Sequence, residues 1–151
     1  MTHARRLTEE GARLWPDLLR EAFLKYDDNW LKSQLFSRGL MRASEYRRSR
    51  RSIITASRVS IRAAETLAEG EFNRYYMRGL CRYMIETGGT EVEVYRGKNV
   101  ENPRLGSVAM IERRLLVQDL LNDLRISQGI EPALGLPPGP NSGLTVRRVE
   151  P

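Results

Sequence analysis

Between Ser37 and Tyr83 the chain carries eleven arginines and no lysine: Arg38, Arg42, Arg47, Arg48, Arg50, Arg51, Arg58, Arg62, Arg74, Arg78 and Arg82. Only Glu45, Glu65, Glu69 and Glu71 oppose them, so eleven positive charges against four negative ones leave +7 here, against +6 for all 151 residues. The basicity is therefore regional. A guanidinium presents a planar fork that binds phosphate or carboxylate bidentately and tolerates burial better than a strongly hydrated ammonium. Two patterns stand out within the segment. The cluster Arg47-Arg48-Ser49-Arg50-Arg51 repels itself unless anions or acidic side chains neutralise it. Arg74, Arg78 and Arg82 recur every four residues, which makes them one stripe of a helix. Together they are candidate contacts for nucleic-acid phosphate or for an acidic patch on a neighbouring subunit. The plainer reading of the stripe is the wet face of an amphipathic helix.

Other chemistries lack their central groups. His3 is the single histidine and Cys81 the single cysteine, so imidazole acid-base schemes, Ser-His-Asp or Cys-His nucleophiles and nitrogen-sulfur zinc sites are not expected. Cys81, flanked by Leu80, Met84 and Ile85, reads as a buried, inert thiol. Glu91 and Glu93 share a strand face, but no Glu-x-Lys follows to complete a metal-dependent nuclease, and a solvated strand face accounts for them. Gly135-Leu-Pro-Pro-Gly139-Pro-Asn-Ser-Gly143 is rich in glycine yet has no lysine and opens no helix, so it is not a phosphate cradle. No catalytic residue, metal, cofactor or small-molecule substrate is expected. No apolar run is long enough to cross a bilayer, and Met1-Thr-His-Ala-Arg-Arg does not resemble a secretory signal, so neither a membrane nor export is expected.

The elements that must position these residues are mostly helical. Thr8, Glu9 and Glu10 suit a short helix that Trp15-Pro16 should interrupt, with Pro16 opening a longer one along Leu18, Leu19, Ala22, Phe23 and Tyr26. Asp27-Asp28-Asn29 can cap a partner helix carrying Trp30, Leu31, Leu35 and Phe36 and ending near Gly39. Residues 41–52 read either as a solvated helix or as a segment ordered by its partner. A helix from Ser57 or Ser60 should stop around Gly70, and another from Glu71 to Thr87 should bury Phe72, Tyr76, Leu80, Tyr83 and Met84 and end at Gly88-Gly89. Residues 90–96 alternate as a half-buried strand. Its partner is to be found near Val100, at Val108 to Ile111, at Leu144-Thr145-Val146 or on another copy of the chain. Leu115 to Leu124 forms a last amphipathic helix.

From Gly129 onward proline and glycine preclude a long helix, while Ile130, Leu134, Leu136, Leu144, Val146 and Val149 are too apolar for a solvating tail. The fold expected is thus mainly α: one core in a helical bundle over residues 1–128, one short strand or hairpin, and an extended arm over 129–151. On this reading Val92, Val94, Tyr95, Leu134, Leu136, Leu144 and Val146 make subunit contacts. A second reading pairs the helices Ser60 to Glu69 and Glu71 to Glu86 as a helix-turn-helix, with Asn73, Arg74 and Tyr75 in the major groove and residues 91–96 as a wing.

A helical body from Pro16 to Thr87, an arginine-rich inner segment, the lone edge strand Glu91-Val-Glu-Val-Tyr-Arg96 and the arm from Gly129 to Pro151 form a layout that resembles the small virion proteins of tailed bacteriophages, of the head-completion or connector-adaptor type. The resemblance implies a non-enzymatic protein that assembles as a ring beside a portal, in a virion or the host cytoplasm. Its arginines would then face DNA or an acidic neighbour, and its arm would clasp other copies or neighbouring subunits.

Overall fold

The structure, a computed structural model, describes residues 6–42, 50–127, 129–137 and 141–149, and for 50–61 the backbone alone. The elements in chain order are α1 (Glu9–Lys25), α2 (Asp28–Ser37), α3 (Arg50–Glu86), β1 (Glu91–Arg96), α4 (Leu105–Met110), β2 (Arg114–Leu116), α5 (Val117–Ile126), α6 (Ile130–Ala133) and β3 (Leu144–Arg148). The fold is mainly α with a small antiparallel sheet, as the composition and periodicity indicate. Where one core was expected there are two compact units, Met1–Phe72 and Asn73–Pro151, each with its own cluster of buried side chains.

In the first unit, Thr8 caps α1 by accepting from Gly11 N at 3.0 Å, and Glu9 and Glu10 place negative charge at the positive end of the helix dipole. The break expected at Trp15-Pro16 does not occur: α1 is one helix with Pro16 inside it. An interior proline costs about 3 kcal/mol. Burial of Trp15, Leu18 and Ala22 along one stripe on both sides of it offsets that cost. Asp27 caps α2 by accepting from Trp30 N at 2.8 Å, and Leu31 and Leu35 are its buried face. The chain turns at Gly39 and returns beside the segment preceding α1, where Thr8 N donates to Leu40 O and Arg42 N to Arg6 O, each at 2.8 Å. Leu7 and Leu40 are thereby sealed beneath the hairpin, and Ala64, Leu67 and Ala68 of α3 complete this core.

The helix expected to stop around Gly70 continues through it, so residues 50–86 form a single helix. A lone glycine weakens a helix by about 1 kcal/mol relative to alanine but does not end it, and good helix formers flank this one. With no turn there, the helix-turn-helix reading is withdrawn. The helix does end at the expected place, where Gly89 N donates to Met84 O at 2.7 Å.

In the second unit β1, expected as an edge strand, is the central one, with order β2-β1-β3. Val92 lies opposite Leu115 and Arg148, and Val94 opposite Val146. The partners of β1 are therefore Leu144–Arg148, which contains the alternative Leu144-Thr145-Val146, and Arg114–Leu116, of which Leu115 and Leu116 read as the start of a helix. Val108 lies in α4 instead. The hydrophobic core beneath the sheet takes Met77, Cys81 and Met84 from α3, Leu120, Leu121 and Leu124 from α5, and Ile130, Leu134 and Leu136 from the segment that follows.

The extended arm is thus overturned for its described residues. Residues 129–137 and 141–149 fold onto their own unit, and the side chains assigned to subunit contacts are interior ones. Val92, Val94 and Val146 have no exposed surface, Leu144 is 1% exposed, and Leu134 and Leu136 are buried as well. A side chain already removed from water here offers a neighbour no apolar area. Gly129, Gly135 and Gly143, all at positive φ, allow the turns that bring short elements back to the core. Asn73 on α3 fixes the end of this return, donating from Nδ2 to Leu144 O at 2.7 Å and accepting from Thr145 Oγ1 at 2.5 Å.

Candidate anion-binding site

The arginines do not act as one set. Arg47 and Arg48 lie outside the described residues, and Arg50 and Arg51 occupy the start of α3 with their side chains outside the description. Arg74 points inward and donates from its guanidinium to Leu124 O, one of the last carbonyls of α5 that lacks a helical partner. It is a cap for that helix, and its assignment to an external anion is corrected accordingly. Arg78 and Arg82, one turn apart, are exposed.

Most other cations of this unit are also engaged. Arg96 donates to Ser142 O and to Ser107 Oγ, the latter at 3.1 Å. Arg104 donates to Pro137 O at 2.9 Å and stands 3.8 Å from Glu131, a buried carboxylate that accepts from Ser142 N at 2.6 Å. Across the sheet Arg114 pairs with Glu91 at 3.9 Å and Arg147 with Glu93 at 3.0 Å. Glu91 and Glu93 are therefore bound to cross-strand partners. Tyr95, the remaining residue assigned to a subunit contact, is half-buried, with the Arg147 guanidinium 5.3 Å from its ring centre. Arg148 lies likewise over Tyr83 at 5.5 Å.

Among the described arginines of this unit, Arg78, Arg82 and Arg125 have no described partner at all, whereas Arg113 donates to Met110 Sδ at 3.4 Å and Arg148 has the Tyr83 ring. Arg82 and Arg125 line an open groove of about 230 Å³ between the C-terminal half of α3 and α5, together with Ile85, Glu86, Gln118 and Leu121. The heptad distance between Gln118 and Arg125 puts both on one face of α5, beside the buried Leu121. Sequence reasoning missed Gln118 and Arg125 because both lie outside the arginine-dense segment. Their seven-residue spacing was the available signal, but nothing in it says which helix lies alongside. Among the described residues no three His, Cys, Asp or Glu side chains converge in a way that could hold a metal, and no helix is long and apolar enough to cross a membrane. Compared with protein-family models, curated proteins and solved structures, the chain matches none.

Cys81 is fully buried, and burial pushes its thiol up from 9.0 to about 11. Burial also raises the Tyr76 phenol, with the neighbouring Tyr95 adding to the effect. For both groups the native state holds its proton to higher pH than the unfolded chain does. Stability is full below pH 9 and falls as pH rises toward 11, for Cys81 by about 1.4 kcal/mol per pH unit crossed. Urea unfolding at pH 8, 9, 10 and 11 checks this, and replacing Cys81 with Ala should flatten the alkaline decline. At pH 8 the native thiol should react with a disulfide reagent far more slowly than the urea-unfolded one.

Proposed function

We propose that this chain is a non-enzymatic assembly protein, of the kind that completes or connects the head of a tailed bacteriophage, and that it works by docking an arginine-bearing surface on an anionic counterpart. The observation that carries this reading is the division of labour among the arginines of the second unit. Arg74, Arg96, Arg104, Arg114 and Arg147 are used by this chain's own carbonyls and carboxylates, while Arg78, Arg82 and Arg125 remain turned to solvent without a described partner. Self-repelling charge kept at a surface is stabilised by an external anion. The density of arginine in residues 38–62 attracts the same kind of counterpart. A C-terminal segment that straps a neighbour is no part of this reading, because its apolar side chains lie in the core. Neighbour contacts fall instead to exposed aliphatics such as Leu105, 88% exposed, and Ile126, 81% exposed.

The test is a titration of the full chain with two labelled polyanions, a 20-base-pair DNA duplex and polyglutamate, followed by fluorescence anisotropy between 50 and 200 mM salt. Binding to at least one should weaken steeply with salt. Arg78→Glu combined with Arg82→Glu should weaken that binding by about tenfold or more; if DNA is the ligand, the slope of log affinity against log salt should fall by about two, one for each phosphate no longer neutralised. Surface substitutions of this kind should leave the thermal midpoint within a degree or two of the parent. Binding that is unchanged in the double variant, or no binding to either polyanion, overturns the reading.

A further inference from the structure

We propose that the groove between α3 and α5 holds an acidic segment of a partner protein that carries an apolar side chain among its carboxylates. This rests on the reading of the exposed arginines as an anion dock and names what this part of the dock takes. The lining is mixed. Arg82 and Arg125 supply two guanidinium groups, Ile85 supplies aliphatic surface above the buried Leu121, and Gln118 and Glu86 supply an amide and a carboxylate. Ile85 is 40% exposed, so its apolar surface gains from being covered.

Charge complementarity favours a peptide over a nucleic-acid backbone. A run of phosphates has no aliphatic group to place against Ile85, and Glu86 would stand against it as a like charge. A peptide satisfies all the lining groups together. Two carboxylates meet Arg82 and Arg125 in charge-assisted, bidentate geometry, an aliphatic side chain covers the apolar surface between them, and backbone N–H groups donate to the Glu86 carboxylate and the Gln118 carbonyl. The volume, about 230 Å³, agrees with this occupant. It falls below the roughly 300–1,000 Å³ of sites that enclose a small molecule and is suited to one or two side chains of a longer chain lying across it.

The experiment uses the full-length chain and three fluorescein-labelled probes: an eight-residue peptide alternating leucine and glutamate, the same peptide with serine for each leucine, and an eight-nucleotide thymidine oligomer. The leucine peptide should bind at least fivefold more tightly than the serine peptide. Its affinity should fall about tenfold in Arg82→Gln/Arg125→Gln, which removes two charge-assisted hydrogen-bonding groups, and severalfold in Ile85→Ser. Protection of the Cys81 thiol certifies that each variant is folded. Equal affinity for the two peptides, or an oligonucleotide that binds with the same dependence on Arg82, Arg125 and Ile85, overturns the inference while leaving the arginine dock standing. If none of the probes binds, and DNA duplex and polyglutamate also fail to bind, the dock itself falls.

Discussion

Ending the chain after Asn141 will expose Cys81 to a thiol reagent at the rate seen in urea, because the second unit will no longer fold. The cut removes β3, whose five residues pair with Val92 to Arg96. It takes from the core Leu144 and Val146, with 1% and 0% exposure. Full burial of two such side chains contributes roughly 3–6 kcal/mol, which already approaches the roughly 5–15 kcal/mol that holds a whole domain. Further effects point the same way. The central strand becomes an edge with unpaired backbone groups, Asn73 is left without both its partners, and the buried Glu131 without the Ser142 amide. Trp15 and Trp30 both lie in the first unit, so tryptophan emission reports on that core while thiol reactivity reports on the other. A strap for neighbouring subunits would behave oppositely: its removal would leave Cys81 protected and tryptophan emission unchanged. A truncated chain that keeps its thiol protected would refute the assignment of β3 to this sheet.

Replacing Gly143 with Val is expected to destabilise the second unit by about 3 kcal/mol or more, the largest effect anticipated for a single substitution outside the core. Gly143 sits at φ 73°, where a β-branched residue is strongly disfavoured. A Cβ there would also run into the carbonyl of Lys98, a backbone group that cannot step aside without disturbing the end of β1. That junction is held by the Gly143 carbonyl, which accepts from Gly97 N at 2.8 Å and Lys98 N at 3.3 Å. Ala should cost less than Val, since it carries the left-handed strain with a smaller side chain. The checking measurement is the urea midpoint of Cys81 exposure in parent and variants. A midpoint for Gly143→Val equal to the parent's would show that the turn is not formed as described.

Local signals carried much of the architecture. Thr8 and Asp27 declare helix starts by side-chain type, Gly39 and Gly88-Gly89 declare ends, and the alternation in Glu91-Val-Glu-Val-Tyr-Arg96 declares a strand with Val92 and Val94 on one face. These depend on residues close in sequence, which is why they are legible there. The errors came where a local rule competed with long-range packing. Pro16 and Gly70 read as breaks, yet burial on both sides of Pro16, and good helix formers around Gly70, carry the helices through. Of the stripe Phe72, Tyr76, Leu80, Tyr83 and Met84 that reads as the buried face, Met84 is buried and Phe72, Tyr76 and Leu80 pack half-buried against a core; Met77 and Cys81 complete the buried face, and Tyr83 lies at the surface under Arg148.

By itself the sequence determined that this is a mainly helical, arginine-weighted chain with a strand at residues 91–96 and a buried cysteine, since composition, caps and periodicity are properties of neighbouring residues. Only the tertiary structure decided where the apolar C-terminal residues go and which arginines remain for a partner. Both depend on groups brought together from distant positions: Leu144 to Arg148 against β1, Asn73 against Leu144 and Thr145, Arg74 against Leu124, and Arg82 beside Arg125. An apolar segment will cover whichever exposed strand and core its own chain supplies at high effective concentration before it covers a neighbour's. A guanidinium is likewise available to an outside anion only when no internal carbonyl or carboxylate has claimed it.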